Sequence, residues 1–421
     1  MTLAPRALLW LLPLLALAPV RAQDGPTSDV FWEDPLLEEA VRGADLIVLG
    51  EVTAVSSDAA TWQVTRTLAG PTRDGAALVV SGLHHPELES TPPVARGDRA
   101  YLLLLGDARG SSLHLPTPTF GRFPLKMFGP KPLVIASLGD TFTRLPVEPA
   151  RFEALLLALR GGESAGLLRE ARAELAQEAL DTPALYAALR LLAFFGAGED
   201  AARVLPLLRR PELLVDARWV LRMAAADALG RAGGPEAIRQ LLDLAGGDPV
   251  LAVRSAAARA LASALVALPD AALQRQSCEA LARLANDASS EPIHTLEAED
   301  PRRNEIDAPL MACLRTLASL RSPAGVRPAL RALERKDDLQ AVVAGLTFFQ
   351  VLGDPAHAGA IAWRMREGDD LVNRLFASTL SQLTGEALGT DRARWLKWWE
   401  SRQLTNPGPE EQPPQGGGGG R

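Results

Sequence analysis

An internal repeat in the C-terminal half of the chain constrains the fold more than any other feature of the sequence. Five times, an Ala- and Leu-rich amphipathic stretch reaches a short break, and a second amphipathic stretch follows. The breaks are 36, 34, 54 and 32 residues apart, at Gly198-Glu199, Gly234-Pro235, Leu268-Pro269, Ser322-Pro323 and Asp354-Pro355. Recurrence at such intervals is typical of stacked helical hairpins. Because a lone hairpin cannot bury its apolar face, we predict an α-solenoid over residues 181–402 in which each hairpin packs on the next.

Apolar residues keep the same register in each repeat. Counted from the second residue of the break, the third following position holds Ala202, Ile238, Ala272, Val326 and Ala358. The sixth preceding position holds Ala193, Leu229, Leu317 and Phe349. Spacings of three, four and seven residues place such side chains on one face of a helix. The third repeat has Arg259 and Ser263 where the others are apolar, so we expect its helices to be longer and shifted in phase.

One segment carries a family pattern most clearly. Residues 223–230 read Met-Ala-Ala-Ala-Asp-Ala-Leu-Gly, and Pro-Glu-Ala-Ile follows at 235–238. This resembles the HEAT repeat of exported bacterial proteins, a short version with Ala-Ala-x-Ala-Leu-Gly before the turn. The resemblance covers roughly residues 180–403 and implies a helical solenoid. Armadillo and tetratricopeptide arrays are the neighbouring alternatives, but the intervals are too irregular for a strict repeat of about 34 residues.

The N-terminus has the pattern of a secretory signal peptide. Arg6 supplies the positive charge, residues 7–18 form an apolar run, and a small-residue cleavage pattern ends at Ala22. A retained membrane anchor would need about 20 apolar residues, and Pro13 and Pro19 interrupt a run that is already shorter. We therefore predict that residues 1–22 are removed, leaving a secreted or periplasmic protein with no membrane span.

Between residues 23 and 147 the apolar period changes to that of β-strands. Residues 46–55 are apolar and rich in branched side chains, and Trp62 and Val64 alternate with polar residues. Further candidate strands, separated by Gly, Pro and Asp clusters, are Ala77–Ser81, Arg99–Leu105, Ser112–Leu115 and Leu133–Ser137. Five or six short strands in a segment of this length predict a small closed or nearly closed β-barrel. Residues 39–42 are expected to form a short helix ahead of it.

Three pieces of this segment resemble the netrin/TIMP-like variety of the OB-fold. They are Ala-Asp-Leu-Ile-Val-Leu-Gly-Glu-Val at 44–52, Val-Thr-Arg-Thr-Leu-Ala-Gly at 64–70 and Gly-Asp-Arg-Ala-Tyr-Leu-Leu-Leu-Leu at 97–105. The inhibitors of that family bind a protease metal through an N-terminal Cys and carry disulfides, whereas this segment contains no Cys. The fold class that we predict is therefore α+β and multidomain: a small OB-like barrel followed by a solenoid of HEAT-like hairpins.

Three other segments complete the predicted organisation. Residues 148–180 have the pattern of two short helices that cap the solenoid and dock the barrel. Residues 288–306 are charge-rich and interrupt the repeat, so they form either a solvated insertion or a binding loop. Residues 403–421, with their Pro-Gly-Pro and five consecutive glycines, are expected to form a flexible tail.

The charge and the cysteine content limit the classes of function. A net charge of −7 opposes binding to phosphate backbones, so nucleic acid is not an expected partner. Two cysteines, Cys278 and Cys313, are too few for a disulfide-built scaffold. A single bridge between them and two separate buried thiols are the alternatives.

The sequence contains no recognisable catalytic motif. Ser164 is the one Ser in a Gly-x-Ser-x-Gly context, but it lies between the two predicted helices of residues 148–180, whereas the catalytic motif requires a strand before the Ser. Neither Cys has an activating neighbour, and no phosphate loop or dinucleotide fingerprint occurs. His84-His85 is the one cluster that resembles a set of metal ligands, and no third ligand accompanies it. We therefore expect no enzyme activity, no metal and no cofactor.

Four arginines are candidate partner-binding residues. Arg203, Arg239 and Arg327 share the fourth position after the break, and Arg331 lies one turn further. They could form a basic row on the solenoid, which is an extended binding surface, and Arg suits carboxylate recognition. The alternative is that they are ordinary solvated side chains with intrahelical partners such as Asp200 and Glu236.

Three tryptophans near the end of the repeat region are the other candidates. Trp395, Trp398 and Trp399 lie at helical spacing in a segment whose N-cap is Thr390 or Asp391. They either pack back on the last repeat or form a cradle for a carbohydrate or a peptide.

The function that we predict is that of an exported, non-catalytic interaction scaffold with a protein or peptide partner on the solenoid. A ligand-binding or protease-inhibitor-like module centred on the barrel is one alternative. An enzyme subunit with its site at the junction of barrel and solenoid is the other, and it would require ionisable residues converging there.

Overall fold

The computed structural model describes residues 36–56, 59–81, 83, 93–106, 113–117, 120–138, 144–177, 182–210, 213, 218–288, 309–335, 338–366 and 368–405. The predicted signal peptide, the His84-His85 pair, residues 289–306 of the predicted insertion and residues 406–421 of the predicted tail lie outside this part of the chain.

The N-terminal part is an eight-stranded sheet. Its strands are β1 Leu46–Val55, β2 Ala59–Ala69, β3 Ala77–Ser81, β4 Arg99–Leu104, β5 Leu113–His114, β6 Arg122–Phe128, β7 Lys131–Ser137 and β8 Arg144–Val147. Their order is β5-β3-β2-β1-β4-β6-β7-β8, with β3 and β5 parallel and all other neighbours antiparallel. A two-bond bridge between Leu105 and His114 also connects β5 with the residue that follows β4.

The sequence predicted the first five strands and β7 but not β6 and β8. These two strands contain Pro124 and Pro146. Proline lacks an N–H for the ladder and therefore counts against a strand in sequence reasoning. The order of the strands ends at β5 on one side and at β8 on the other, so the eight strands together do not form one closed barrel.

The central strands β1 and β4 are buried on both faces. Leu46, Val48, Leu102 and Leu104 lie in one cluster around Trp62. Their sequence neighbours Ile47, Leu49, Tyr101 and Leu103 lie in the other cluster, which continues into the helices. Successive side chains of a strand point to opposite faces. Burial on both faces therefore explains why these two strands are unbroken apolar runs in the sequence.

Three helices join the sheet to the repeats: α1 Leu37–Gly43, α2 Pro149–Leu159 and α3 Ala165–Leu175. Phe152 of α2 packs against Tyr101 and Phe123, with ring centroids 5.3 and 5.2 Å apart. Helix α3 packs against the first repeat helix. Residues 148–180 were predicted to cap the helical array and dock the sheet, and their two helices contact the sheet through α2 and the first repeat helix through α3.

In the described residues from 182 to 405, the C-terminal part forms six helical hairpins. Their helices are α4 Thr182–Phe195, α5 Ala201–Val204, α6 Trp219–Ala232, α7 Pro235–Gly247, α8 Leu251–Val266, α9 Ala271–Ala288, α10 Pro309–Ser319, α11 Val326–Leu333, α12 Leu339–Leu352, α13 Ala358–Trp363, α14 Asp370–Thr384 and α15 Arg392–Thr405. Each predicted break lies between the two helices of one hairpin. The first helices of successive hairpins contact one another from α4 to α14, and the second helices do so from α7 to α15.

This two-layer stacking is that of a helical repeat solenoid. The third hairpin has the longest helices, with 16 residues in α8 and 18 in α9. Arg259 and Ser263 are exposed, while Leu261 and Leu265 are buried. The predicted shift in phase is therefore confirmed.

Candidate functional site

Arg203 and Arg239 are held by partners on their own helices. Arg203 Nη1 lies 3.4 Å from Asp200 Oδ1 and 3.3 Å from the Glu199 carbonyl oxygen. Arg239 Nη2 donates to Glu236 Oε2 over 3.1 Å. The Arg239–Glu236 pair is exposed and contributes little to stability, whereas the Asp200 carboxylate of the other pair is buried. These two arginines have the intrahelical partners that the alternative interpretation expected.

Arg327 and Arg331 differ from that pair. Both are exposed on α11, one turn apart, and neither makes a side-chain hydrogen bond to any residue that the structure describes. The position of Arg203, Arg239 and Arg327 holds Leu273 in α9 and a glycine in α13. The arginines therefore do not form a continuous basic row, and of the four candidates the two without a described partner both lie on α11.

Next to α11, the helix α13 presents an exposed indole. Trp363 is 62% exposed. The guanidinium carbons of Arg364 and Arg392 lie 6.0 and 5.9 Å from the centroid of its ring. Arg392 Nη2 also donates to the carbonyl oxygen of Trp363 over 3.0 Å. Cation–π contacts stabilise such an arrangement, so the indole is fixed in orientation while its surface stays open to solvent.

Arg364 connects α13 to α11. Its Nε donates to the Leu330 carbonyl oxygen and to Glu334 Oε1, each over 3.0 Å. Arg331 occupies in α11 the register position that Trp363 occupies in α13, eight residues after the second residue of the break. Packed helices lie about 8–10 Å apart. Arg331 and Trp363 therefore hold equivalent positions on two helices that are neighbours in the same layer.

We call Arg327, Arg331, Trp363, Arg364 and Arg392 the Trp363 surface. It carries four cations on a protein whose net charge is −7. Glu334 forms an ion pair with Arg364. Sequence reasoning identified Arg327 and Arg331 but missed Trp363. The repeat register could have indicated that Trp363 is exposed. The equivalent position in α7 holds Asp243, which faces solvent.

The three predicted tryptophans pack on the last hairpins. Trp395 is completely buried, and its Nε1 donates to the Gly389 carbonyl oxygen over 2.7 Å. Trp398 and Trp399 are partly buried against the same core. The indole of Trp399 lies against Gly359 of α13, where a side chain would collide with it. Asp391 is the N-cap of their helix, since its Oδ1 accepts from the Ala393 amide over 2.9 Å.

The junction of sheet and repeats contains a part-buried polar cluster. The Tyr101 hydroxyl donates to Glu153 Oε1 over 2.7 Å, and Arg66 Nη1 lies 2.7 Å from Glu153 Oε2. Burial, and then the hydrogen bond to Glu153, raise the pKa of Tyr101 above its usual value. The phenol therefore stays protonated and acts as a donor. Each member of this cluster is bound to another member, which suits a role in holding the junction together.

The alternative of a Cys278–Cys313 bridge is wrong, because both cysteines are free and buried. Burial raises the pKa of Cys313 to about 12. Burial also raises the pKa of Cys278. Within the described part of the chain, no three His, Cys, Asp or Glu side chains lie together in a way that could hold a metal ion.

These pKa shifts predict slow thiol modification. At pH 8 the thiolate fraction of Cys313 should be about a thousandfold below that of an ordinary Cys, because the thiolate is the reactive form. We expect iodoacetamide to modify neither thiol of the folded protein at a rate close to that of free cysteine, and to modify both in denaturant. Mass spectrometry of a time course measures this. Rapid modification of Cys313 in a Cys278→Ser variant that is still folded would contradict the burial.

Comparison with known proteins bears on the helical part. Residues 169–262 match the family described as HEAT repeats. This range runs from α3 into α8 and includes the Met223–Gly230 motif. Searches of curated proteins and of solved structures found no match. No described helix combines the length and the apolar character that crossing a membrane requires. The match supports HEAT repeats in the first hairpins, and the later hairpins continue the same two-layer stacking.

Proposed function

We propose that this protein is an exported, non-catalytic scaffold that binds an acidic segment of a protein or peptide partner on the Trp363 surface. The observation that carries the proposal is an exposed indole in contact with two guanidiniums, on a helix next to one that carries two arginines with no described partner. HEAT-repeat solenoids use extended helix layers as binding surfaces. The export part of the proposal is supported by the signal-peptide pattern of residues 1–22.

The chemistry of the Trp363 surface selects the partner. Trp and Arg are the residues most often found at the energetic centres of protein interfaces. Arg327 and Arg331 can each accept a carboxylate in a two-bond geometry. Because they lie one turn apart, they suit two carboxylates on one short segment. An apolar or aromatic side chain of that segment would cover the indole of Trp363.

We further propose that five of the strands form an OB-like barrel. The order β1-β2-β3-β5, with β3 parallel to β5, and the Leu105–His114 bridge back to the end of β4 support a ring of five strands. The apolar cluster around Trp62 would fill its interior. Strands β6 to β8 would then be an extension outside the ring, and the barrel would provide the scaffold with a second contact surface.

The test is affinity capture with matched arginine variants. Full-length protein is immobilised and exposed to the periplasmic or secreted fraction of its own cells. Trp363→Ala should weaken capture of the partner about 30-fold or more, since truncating an interface hot spot costs about 2 kcal/mol or more. The double variant Arg327→Glu/Arg331→Glu should abolish capture by reversing the charge of the surface.

The control is the double variant Arg203→Glu/Arg239→Glu, which changes the same number of charges on α5 and α7. It should retain capture. Equal loss in both double variants would show that net charge alone is responsible and would overturn the assignment to the Trp363 surface. Capture that is indifferent to Trp363→Ala would overturn it as well. The folding of each variant is checked by its thermal unfolding transition.

A further inference from the structure

The hairpin of β6 and β7 projects beyond the rest of the sheet. Strand β4 pairs with β6 only as far as Leu125, and β8 pairs with β7 only from Val134 onward. Among the described strands, residues 126–133 therefore pair only with each other, as Lys126↔Leu133, Met127↔Pro132 and Phe128↔Lys131. Every residue from 126 to 132 is exposed. We call residues 126–133 the hairpin tip.

The turn of the hairpin tip is short and conformationally restricted. Gly129 has a φ of 61°, and a Cβ atom added there would meet no atom within 4 Å. Two-residue hairpin turns require a positive φ at their first position, which glycine adopts readily. Pro130 and Pro132 each fix their own φ. The tip is therefore pre-organised, and little conformational freedom is lost when it binds.

The hairpin tip exposes two large apolar side chains on opposite faces. Met127 is 66% exposed and Phe128 is 49% exposed. They are consecutive in one strand, so they point in opposite directions. A groove or a flat protein surface covers one face of a ribbon. A medium into which the tip inserts covers both faces at once, and a lipid bilayer is such a medium.

The charge around the hairpin tip also favours an anionic lipid surface. Lys126 and Lys131 flank Phe128, and they are two of only four lysines in the chain. Residues 108–139 contain four basic residues and no acidic residue, although the whole protein has a net charge of −7. Long basic side chains beside an apolar tip reach lipid headgroups while the apolar groups enter the acyl boundary.

We propose that the hairpin tip is a membrane-surface contact: Met127 and Phe128 enter the interfacial region of a bilayer, and Lys126 and Lys131 bind anionic headgroups. The contact is peripheral and reversible, because two side chains bury much less apolar area than a lipid anchor does. It is independent of the Trp363 surface, which lies on the helical part of the chain.

The first experiment measures vesicle binding of the full-length chain. Vesicles of phosphatidylcholine and phosphatidylglycerol in equal parts are compared with vesicles of phosphatidylcholine alone by co-sedimentation. We expect binding to the anionic vesicles that weakens as salt is raised. The double variant Met127→Ser/Phe128→Ser should bind at least about tenfold more weakly, because it removes the buried apolar area. Lys126→Glu/Lys131→Glu should lose the preference for anionic vesicles.

The matched control is Val55→Ser/Val79→Ser, which removes two exposed apolar side chains elsewhere on the same sheet. It should bind vesicles as the unmodified protein does. No binding to either kind of vesicle would overturn the proposal, and so would equal weakening in both serine double variants. Capture of a soluble protein that depends on Met127 and Phe128, without vesicle binding, would overturn it in favour of a protein partner.

The second experiment reports the insertion directly. Phe128→Cys, labelled with an environment-sensitive fluorophore, should shift its emission to the blue on addition of anionic vesicles. The same label at Val79→Cys should not shift. Since Cys278 and Cys313 are buried, the introduced thiol is the one that reacts readily. Equal shifts at both positions would contradict insertion through the hairpin tip.

Discussion

Replacing Asp248 with alanine should lower the free energy of unfolding by about 3–5 kcal/mol, because it leaves a buried guanidinium without its carboxylate. Arg222 Nε lies 2.7 Å from Asp248 Oδ2, and Arg222 Nη2 lies 3.0 Å from Oδ1. The side chains of Arg222 and Asp248 are 1% and 4% exposed. The same carboxylate also accepts a hydrogen bond from the Val250 amide over 2.9 Å. The pair therefore fixes α6 against the connection between α7 and α8.

The size of this loss follows from burial, and two comparisons test that explanation. Glu236→Ala removes the exposed ion pair with Arg239 and should cost no more than about 1 kcal/mol. The double variant Arg222→Met/Asp248→Leu removes both charges and should be far more stable than Asp248→Ala, since apolar replacement of a buried pair is often neutral.

Chemical denaturation followed by helical circular dichroism measures these differences. In a repeat protein each unit contributes separately to stability, so hydrogen-exchange protection of α6 and α7 should fall first. If Asp248→Ala is no more destabilising than Glu236→Ala, or if the double variant is as unstable as the single one, the ion pair does not have the predicted role.

The hairpin architecture was predictable because its signals are local. A break such as Gly234-Pro235 provides both the end of one helix and the first turn of the next, and α7 begins at Pro235. The two short helices predicted within residues 148–180 were recognisable for the same reason. In the sheet, β1 and β4 were predictable from their apolar runs, which are typical of strands buried on both faces.

Features that depend on distant partners were not predictable. Arg222 and Asp248 are 26 residues apart, and a charged side chain by itself indicates an exposed position. The exposure of Trp363 depends on the packing of α13 between α11 and α15. The projection of the hairpin tip depends on where β4 and β8 stop pairing, which no local pattern encodes.

The four candidate arginines also show that local sequence patterns cannot predict side-chain partners. The register correctly placed Arg203, Arg239 and Arg327 at the surface of equivalent helices. It could not separate the two that bind Asp200 and Glu236 from Arg327, whose helix offers no acidic residue one turn before it. Surface position followed from periodicity, whereas availability for a partner required the side-chain contacts.

A single glycine in the HEAT-like motif provides the second large effect. Gly230 ends the motif in α6, at the place where α6 approaches α8. A Cβ atom there would lie 2.7 Å from the Ala260 carbonyl oxygen and 2.8 Å from the Ala260 Cβ. These are atoms of a helix backbone and of a rigid side chain, so they cannot move aside without separating the two helices. We expect Gly230→Ala to destabilise the protein by about 1–3 kcal/mol, which is the usual cost of overpacking.

The expected loss of stability at Gly230 is opposite in sign to the effect of Gly→Ala at most helix positions. In a helix, Gly→Ala normally stabilises by about 0.5–1 kcal/mol, because alanine loses less backbone entropy on folding. Gly166 in α3 is the matched control, since a Cβ atom there meets nothing within 4 Å. The same substitution should therefore raise the unfolding midpoint at Gly166 and lower it at Gly230. Stabilisation at both positions would show that α6 and α8 are further apart than the stacking of the solenoid requires.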